Sequence, residues 1–90
     1  MTKEKLKTVI DNEEKEQKQN RLILYNDEVN SFDFVIDSLV DICEHDPMQA
    51  ENCAMIAHFK GRCPVKNGSF SELEPYHLAL SNRQLTVEIQ

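Results

Sequence analysis

Leu22-Ile23-Leu24-Tyr25-Asn26-Asp27-Glu28-Val29-Asn30-Ser31-Phe32-Asp33-Phe34-Val35 starts as an apolar run, breaks into polar residues and restarts with a different periodicity. Leu22 to Tyr25 is short, apolar and β-branched at Ile23, which predicts a strand. From Phe32 the apolar residues recur at helical spacing. Phe32, Val35, Ile36, Leu39, Val40 and Cys43 form one face, and Asp33, Asp37, Asp41 and Glu44 the other. Asn30 suits the N-cap of this helix, with Asp33 in the first turn, where a carboxylate meets unpaired amides. A strand that ends in Asn-Asp and turns straight into a helix leaves hydrogen-bonding side chains at the mouth of the fold, where binding groups tend to sit.

Working outward, the helix runs to about Glu44 and must stop before Pro47. Asp46-Pro47-Met48-Gln49 starts a second helix, with Asp46 as cap, Pro47 in the first position and Gln49 placed for a capping-box exchange. It continues to Lys60 and terminates at Gly61. Its interior, Cys53-Ala54-Met55-Ile56-Ala57, is apolar on every side and predicts a helix enclosed nearly all round. Arg62 to Lys66 reads as an edge strand because of Pro64, and Asn67-Gly68 as a turn. Ser71-Glu72-Leu73-Glu74 fits a capping box opening a third helix to Leu80 or Ser81. Leu85 to Ile89 alternates apolar and polar and predicts a strand with one wet face. The order β-α-α-β-α-β predicts an α+β domain, a three-stranded antiparallel sheet packed on three helices.

Upstream, residues 1–20 are rich in Lys, Glu, Gln and Asn, with Leu6, Val9 and Ile10 as apolar islands, and read as a flexible arm ahead of a core at 21–90. The arm holds five lysines against five acids; residues 21–90 hold five basic against eleven acidic residues, and so carry the net charge of −6. An acidic domain without a basic patch is a poor partner for nucleic acid. The start lacks the apolar stretch of a signal peptide and no run approaches a membrane span, so the expectation is a cytoplasmic protein without membrane attachment. Cys43, Cys53 and Cys63 show no Cys-x-x-Cys pairing and read as free thiols.

Chemistry is sparse. Asp27 with His58 is the one acid–base pair, no nucleophile elbow or phosphate loop occurs, and the cysteines with His45 and His77 lack structural-zinc spacing. The expectation is a non-enzyme without cofactor or metal. Asn26, Asp27 and a neutral His58 are all acceptors. Brought together beside Ala54 and Ala57, they suit a ligand with several N–H donors and a positive charge, such as an α-ammonium group, and a large apolar side chain. A plain turn at Asn-Asp and a structural helix-end histidine account for the same residues.

Leu24-Tyr25-Asn26-Asp27-Glu28, then Phe34-Val35, Ala57-His58-Phe59-Lys60-Gly61 and Gly68-Ser69-Phe70-Ser71 resemble, in order, the ClpS family of Clp protease adaptors. The resemblance covers about residues 21–90. It implies a monomeric adaptor that binds substrates beginning with Leu, Phe, Tyr or Trp (N-degrons) and hands them to a Clp AAA+ unfoldase of the ClpA or ClpC type. It implies that Asn26, Asp27 and His58 hold the substrate's α-amino group. Asn30, Phe32, Val35, Ala54, Ala57 and Leu85 would line the side-chain pocket. Glu72 and Glu74 would lie towards the unfoldase, and the N-terminal arm would engage its channel. The other function it allows is a regulator that docks on the unfoldase without carrying N-degrons. The chain departs from the family pattern at Asn30-Ser31, where Thr-Pro is usual, and at Phe32 and Ala54, where Met is common. Bulk has moved from one pocket wall to the other.

Overall fold

The computed structural model describes residues 19–90. The arm assigned to residues 1–20 lies outside the described residues, except for Gln19 and Asn20. The elements follow the expected order: β1 (Asn20–Tyr25), α1 (Phe32–Cys43), α2 (Pro47–Lys60), β2 (Arg62–Gly68), α3 (Phe70–Asn82) and β3 (Val87–Ile89). The three strands form one antiparallel sheet in the order β2-β1-β3. The α+β reading is correct, and β1 starts at Asn20, one residue inside the stretch assigned to the arm.

β1 is central, and Leu22, Ile23 and Leu24 are all buried. Successive strand residues face opposite sides, so both faces of β1 are covered at this point. Leu22 and Leu24 pack with Leu39, Cys43, Ala50, Ala57, Leu73 and Leu80 in one core. β2 is an edge strand, as Pro64 required, and its register slips between Leu22 and Ile23, so Val65 bulges. The slip leaves the Val65 carbonyl free of the ladder, and buried His45 donates to it from Nε2 at 2.6 Å. A carbonyl only accepts, so Nε2 carries a proton, and Nδ1 is a buried ring nitrogen without a partner among the described residues.

Four local expectations are corrected. Ser31, not Asn30, caps α1: its side chain accepts from Phe34 N at 3.1 Å. The first helix ends at Cys43, because Glu44 turns left-handed (φ 60°) as its C-cap. Ser69 and Glu72, not Ser71 and Glu74, form the capping box of α3, with Glu72 N donating to Ser69 Oγ and Ser69 N to Glu72 Oε1. The helix therefore begins at Phe70, Pro75 falls inside it, and it runs on to Asn82. Asn67 and Gly68 do not turn; both stay paired in β2, opposite Arg21 and Asn20. The alternation at the C-terminus holds, with Leu85 buried and Thr86 and Glu88 exposed, although the paired strand is only Val87–Ile89.

α2 is also less enclosed than its composition predicts. Ala50, Ala54 and Ala57 are buried, whereas Met48, Met55, Ile56 and Phe59 are exposed. The small residues allow close packing, and the large apolar ones face outward. Phe32 is likewise at the surface, 40% exposed, rather than within the buried face of α1. Arg83 joins the end of α3 to α1 by donating to Asp41 at 3.3 Å and to Ser38 Oγ at 3.4 Å.

Candidate functional site

Two backbone hydrogen bonds position the end of β1. Tyr25 N donates to Thr86 O at 2.8 Å, and Asn26 N to Gly61 O at 2.9 Å. Gly61 is the left-handed C-cap of α2, with φ 93°, a conformation that favours glycine. The Asn26–Gly61 bond brings the Asn-Asp corner beside the last turn of α2, where Ala54, Ala57 and His58 share a face.

Between them lies a cavity of about 480 Å³. Leu24, Val35, Ala54 and Ala57 make its apolar walls with Tyr25 and Phe32, and Asn26, Asp27, Glu28, Asn30 and His58 complete the lining. The charged members of this lining are both acidic, so the field at the mouth favours a cation. His58 is exposed at the rim, its ring edge-on to Phe59 with centroids 5.0 Å apart.

The Asp27 carboxylate organises the loop. Its Oδ1 accepts from Val29 N at 3.0 Å and Asn30 N at 2.9 Å; Asn30 Nδ2 donates to Oδ1 at 3.2 Å and to Oδ2 at 3.1 Å. Asn30 Nδ2 also donates to Gln84 O at 2.9 Å. Gln84 is itself left-handed, at φ 66°, in the turn between α3 and β3. Asn30 is therefore a brace between the two loops. Oδ1 already holds three N–H groups and Oδ2 one, so the remaining acceptor capacity of the carboxylate is concentrated on Oδ2.

The structure thus brings together Asn26, Asp27, His58, Asn30, Phe32, Val35, Ala54 and Ala57 around one cavity. Leu85 is not among the lining residues: it is buried in the core, and its neighbour Gln84 is the residue tied to the site. Leu24, Tyr25 and Glu28 line the cavity without having been singled out for it. Strand alternation could have flagged Leu24, but only the packing of α2 shows which face is hollow. Glu72 and Glu74 lie away from the cavity on α3. Glu72 is engaged in its own cap, and the bonds from Ser69 hold its carboxyl below the usual glutamate range. Glu74 borders a second concavity with Phe70, His77, Leu78 and Ile89. Among the described residues, no three His, Cys, Asp or Glu side chains are placed to hold a metal ion, and no helix is long and apolar enough to cross a membrane.

This hollow is apolar inside and acceptor-rich at the mouth, a combination whose chemistry complements a ligand with an apolar part and a donor-rich, cationic end. The family model described as ATP-dependent Clp protease adaptor protein ClpS matches residues 15–87, and the chain belongs to the ClpS family of Clp protease adaptors. No curated protein matches the sequence. Among solved structures, that of Agrobacterium tumefaciens ClpS2 bound to L-phenylalaninamide is similar in fold. Its TM-score is 0.76 at 19% sequence identity, over 81% of this chain and 95% of that one.

Proposed function

We propose that this adaptor binds polypeptides beginning with Leu, Phe, Tyr or Trp and delivers them to a Clp AAA+ unfoldase of the ClpA or ClpC type, working as a monomer in the cytoplasm. The observation that carries this reading is the convergence of Asn26, Asp27 and His58 at the mouth of an apolar cavity whose far wall is built from Ala54 and Ala57. An α-ammonium group offers three donors and a positive charge; Asp27 Oδ2, the Asn26 amide oxygen and a neutral His58 nitrogen are the matching acceptors. The first side chain enters the space between Leu24, Val35 and the two alanines, and its transfer from water contributes about 25 cal/mol per Å² buried. Phenylalaninamide, the ligand of the Agrobacterium relative, has this chemistry: a free α-amine and an aromatic side chain. Docking on the unfoldase is assigned to the exposed face of α3 that includes Glu72 and Glu74, and engagement of the unfoldase channel to the arm.

Fluorescence anisotropy with a labelled peptide beginning with Leu or Phe tests the reading. Saturable binding is expected for the free terminus and none for the acetylated one, which has lost its charge and two donors. Asp27→Asn keeps the shape of the loop-organising side chain but removes the charge, and is expected to weaken binding by roughly 10- to 100-fold, the worth of a hydrogen bond to a charged group. Absence of binding to any free hydrophobic terminus, with docking on the unfoldase intact, would replace the carrier by a regulator that only docks.

A further inference from the structure

The three cysteines, ten residues apart in sequence, come together from three elements: Cys43 ends α1, Cys53 lies in α2 and Cys63 is in β2. Cys63 Sγ lies 3.4 Å and Cys53 Sγ 3.8 Å from the same acceptor, the Pro64 carbonyl. Both thiols thus converge on one carbonyl oxygen. Cys53 is partly accessible, whereas Cys63 and Cys43 are buried. A partly accessible thiol and a buried one held at the same carbonyl oxygen suit an attacking and a resolving cysteine. Cys53 immediately precedes Ala54, so the pair adjoins the helix that walls the cavity.

We propose that Cys53 and Cys63 are a thiol–disulfide exchange site, which a small-molecule disulfide such as oxidised glutathione converts into a disulfide linking α2 to β2. In the first step the Cys53 thiolate attacks one sulfur of the glutathione disulfide. That S–S bond breaks, one glutathione leaves as a thiolate and takes up a proton, and a mixed disulfide forms at Cys53. In the second step the Cys63 thiolate attacks Cys53 Sγ, the mixed disulfide breaks, and the second glutathione leaves. The two protein thiols lose two electrons and two protons, and the two glutathiones gain them.

The surroundings of the pair set its rate. Burial pushes the Cys53 thiol up to about 12, with the neighbouring Cys63 and Cys43 adding to the effect. Little thiolate is present at neutral pH, although what forms is strongly nucleophilic. The exchange rate is therefore expected to rise about tenfold per pH unit between pH 7 and 9, without levelling off as an exposed thiol would.

The test incubates the full chain with oxidised glutathione and follows intact mass and peptide maps. A product lighter by about 2 Da is expected, with no lasting glutathione adduct. Joint cleavage after Glu44, Glu51, Lys60 and Arg62 places the three cysteines on separate peptides, so the wild-type map alone identifies the cross-link; it should join Cys53 to Cys63. Cys63→Ala should stop at the mixed disulfide on Cys53, whereas Cys43→Ala should leave the product unchanged. A stable glutathione adduct on the wild type, a cross-link involving Cys43, or no reaction at pH 9 would each overturn the proposal. None of these readouts depends on peptide binding.

Discussion

Asp27 uses most of one carboxylate oxygen on its own loop and keeps most of the acceptor capacity of the other, and Asn30 is the residue that touches both. Its amide bridges both Asp27 oxygens and the Gln84 carbonyl, so it ties the carboxylate to the turn between α3 and β3. On the proposed reading, Asn30 is a positioning residue for the α-ammonium group. Asn30→Ala is expected to reduce affinity for a Leu-initiated peptide by about tenfold, the typical worth of one or two lost hydrogen bonds. The sharper readout compares that peptide with its des-amino analogue. If Asn30 acts through Asp27, the variant should lose affinity for the free-amine peptide and keep its weak affinity for the analogue; an equal loss for both would reduce Asn30 to a loop brace. Ala54 makes a second residue-scale prediction. Ala54→Met narrows the cavity from the α2 side and should weaken a Trp-initiated peptide more than a Leu-initiated one, because overpacking a filled pocket costs about 1–3 kcal/mol. Equal effects on both peptides would show that the first side chain does not reach α2.

At the scale of elements, the start of α3 decides which of two overlapping motifs is real. Ser69-x-x-Glu72 and Ser71-x-x-Glu74 (one Ser-x-x-acid, the other beginning two residues later) both fit the capping pattern. Ser69 is extended (φ −71°, ψ 162°) and bonded in both directions, whereas Ser71 lies inside the first turn. Ser69→Ala should cost about 1 kcal/mol and Ser71→Ala almost nothing, as measured by chemical denaturation. The cap also has a pH dependence. Because the folded-state pKa of Glu72 is depressed, its contribution is present above the unfolded glutamate value and is lost as pH falls through the folded one. A Glu72→Gln variant and the parent should therefore converge in stability on acidification, and an undiminished difference at low pH would mean that the Glu72 charge contributes nothing to the box.

The described residues form a core of about seventy residues, and domains of this size have thin stability margins. Leu39 is fully buried where α1 meets the sheet and packs in the same cluster as Leu22, Leu24, Leu73 and Leu80. Leu39→Ala is expected to cost about 2–5 kcal/mol, a large share of a total on the order of 5–10 kcal/mol. Its denaturation midpoint should fall accordingly, with peptide affinity of the remaining folded fraction unchanged, since Leu39 does not line the cavity. A variant of normal stability would mean that the core tolerates the void by collapse.

The order of elements, the strand at Leu22–Tyr25 and the stop at Gly61 were legible in the chain because each rests on short-range rules: apolar periodicity, caps and the need for glycine at positive φ. That Asn26, Asp27 and His58 belong together was suggested by the family motifs and not by those rules; the fold brings all three to one cavity. What the chain could not settle were choices between locally equivalent options. Asn30 and Ser31 can both cap a helix, and only the proximity of Gln84 draws Asn30 away to brace Asp27. Asn67-Gly68 is a good turn, but pairing with β1 keeps it extended. Leu85 satisfies a pocket and a core equally well by type, and packing against Leu80 places it in the core. The apolar run of α2 looks buried all round; its alanines are the packed face, and Met55, Ile56 and Phe59 turn outward. Local propensity differs by only a fraction of a kcal/mol between such options, whereas burial and long-range hydrogen bonds differ by more than one, so tertiary contacts decide them.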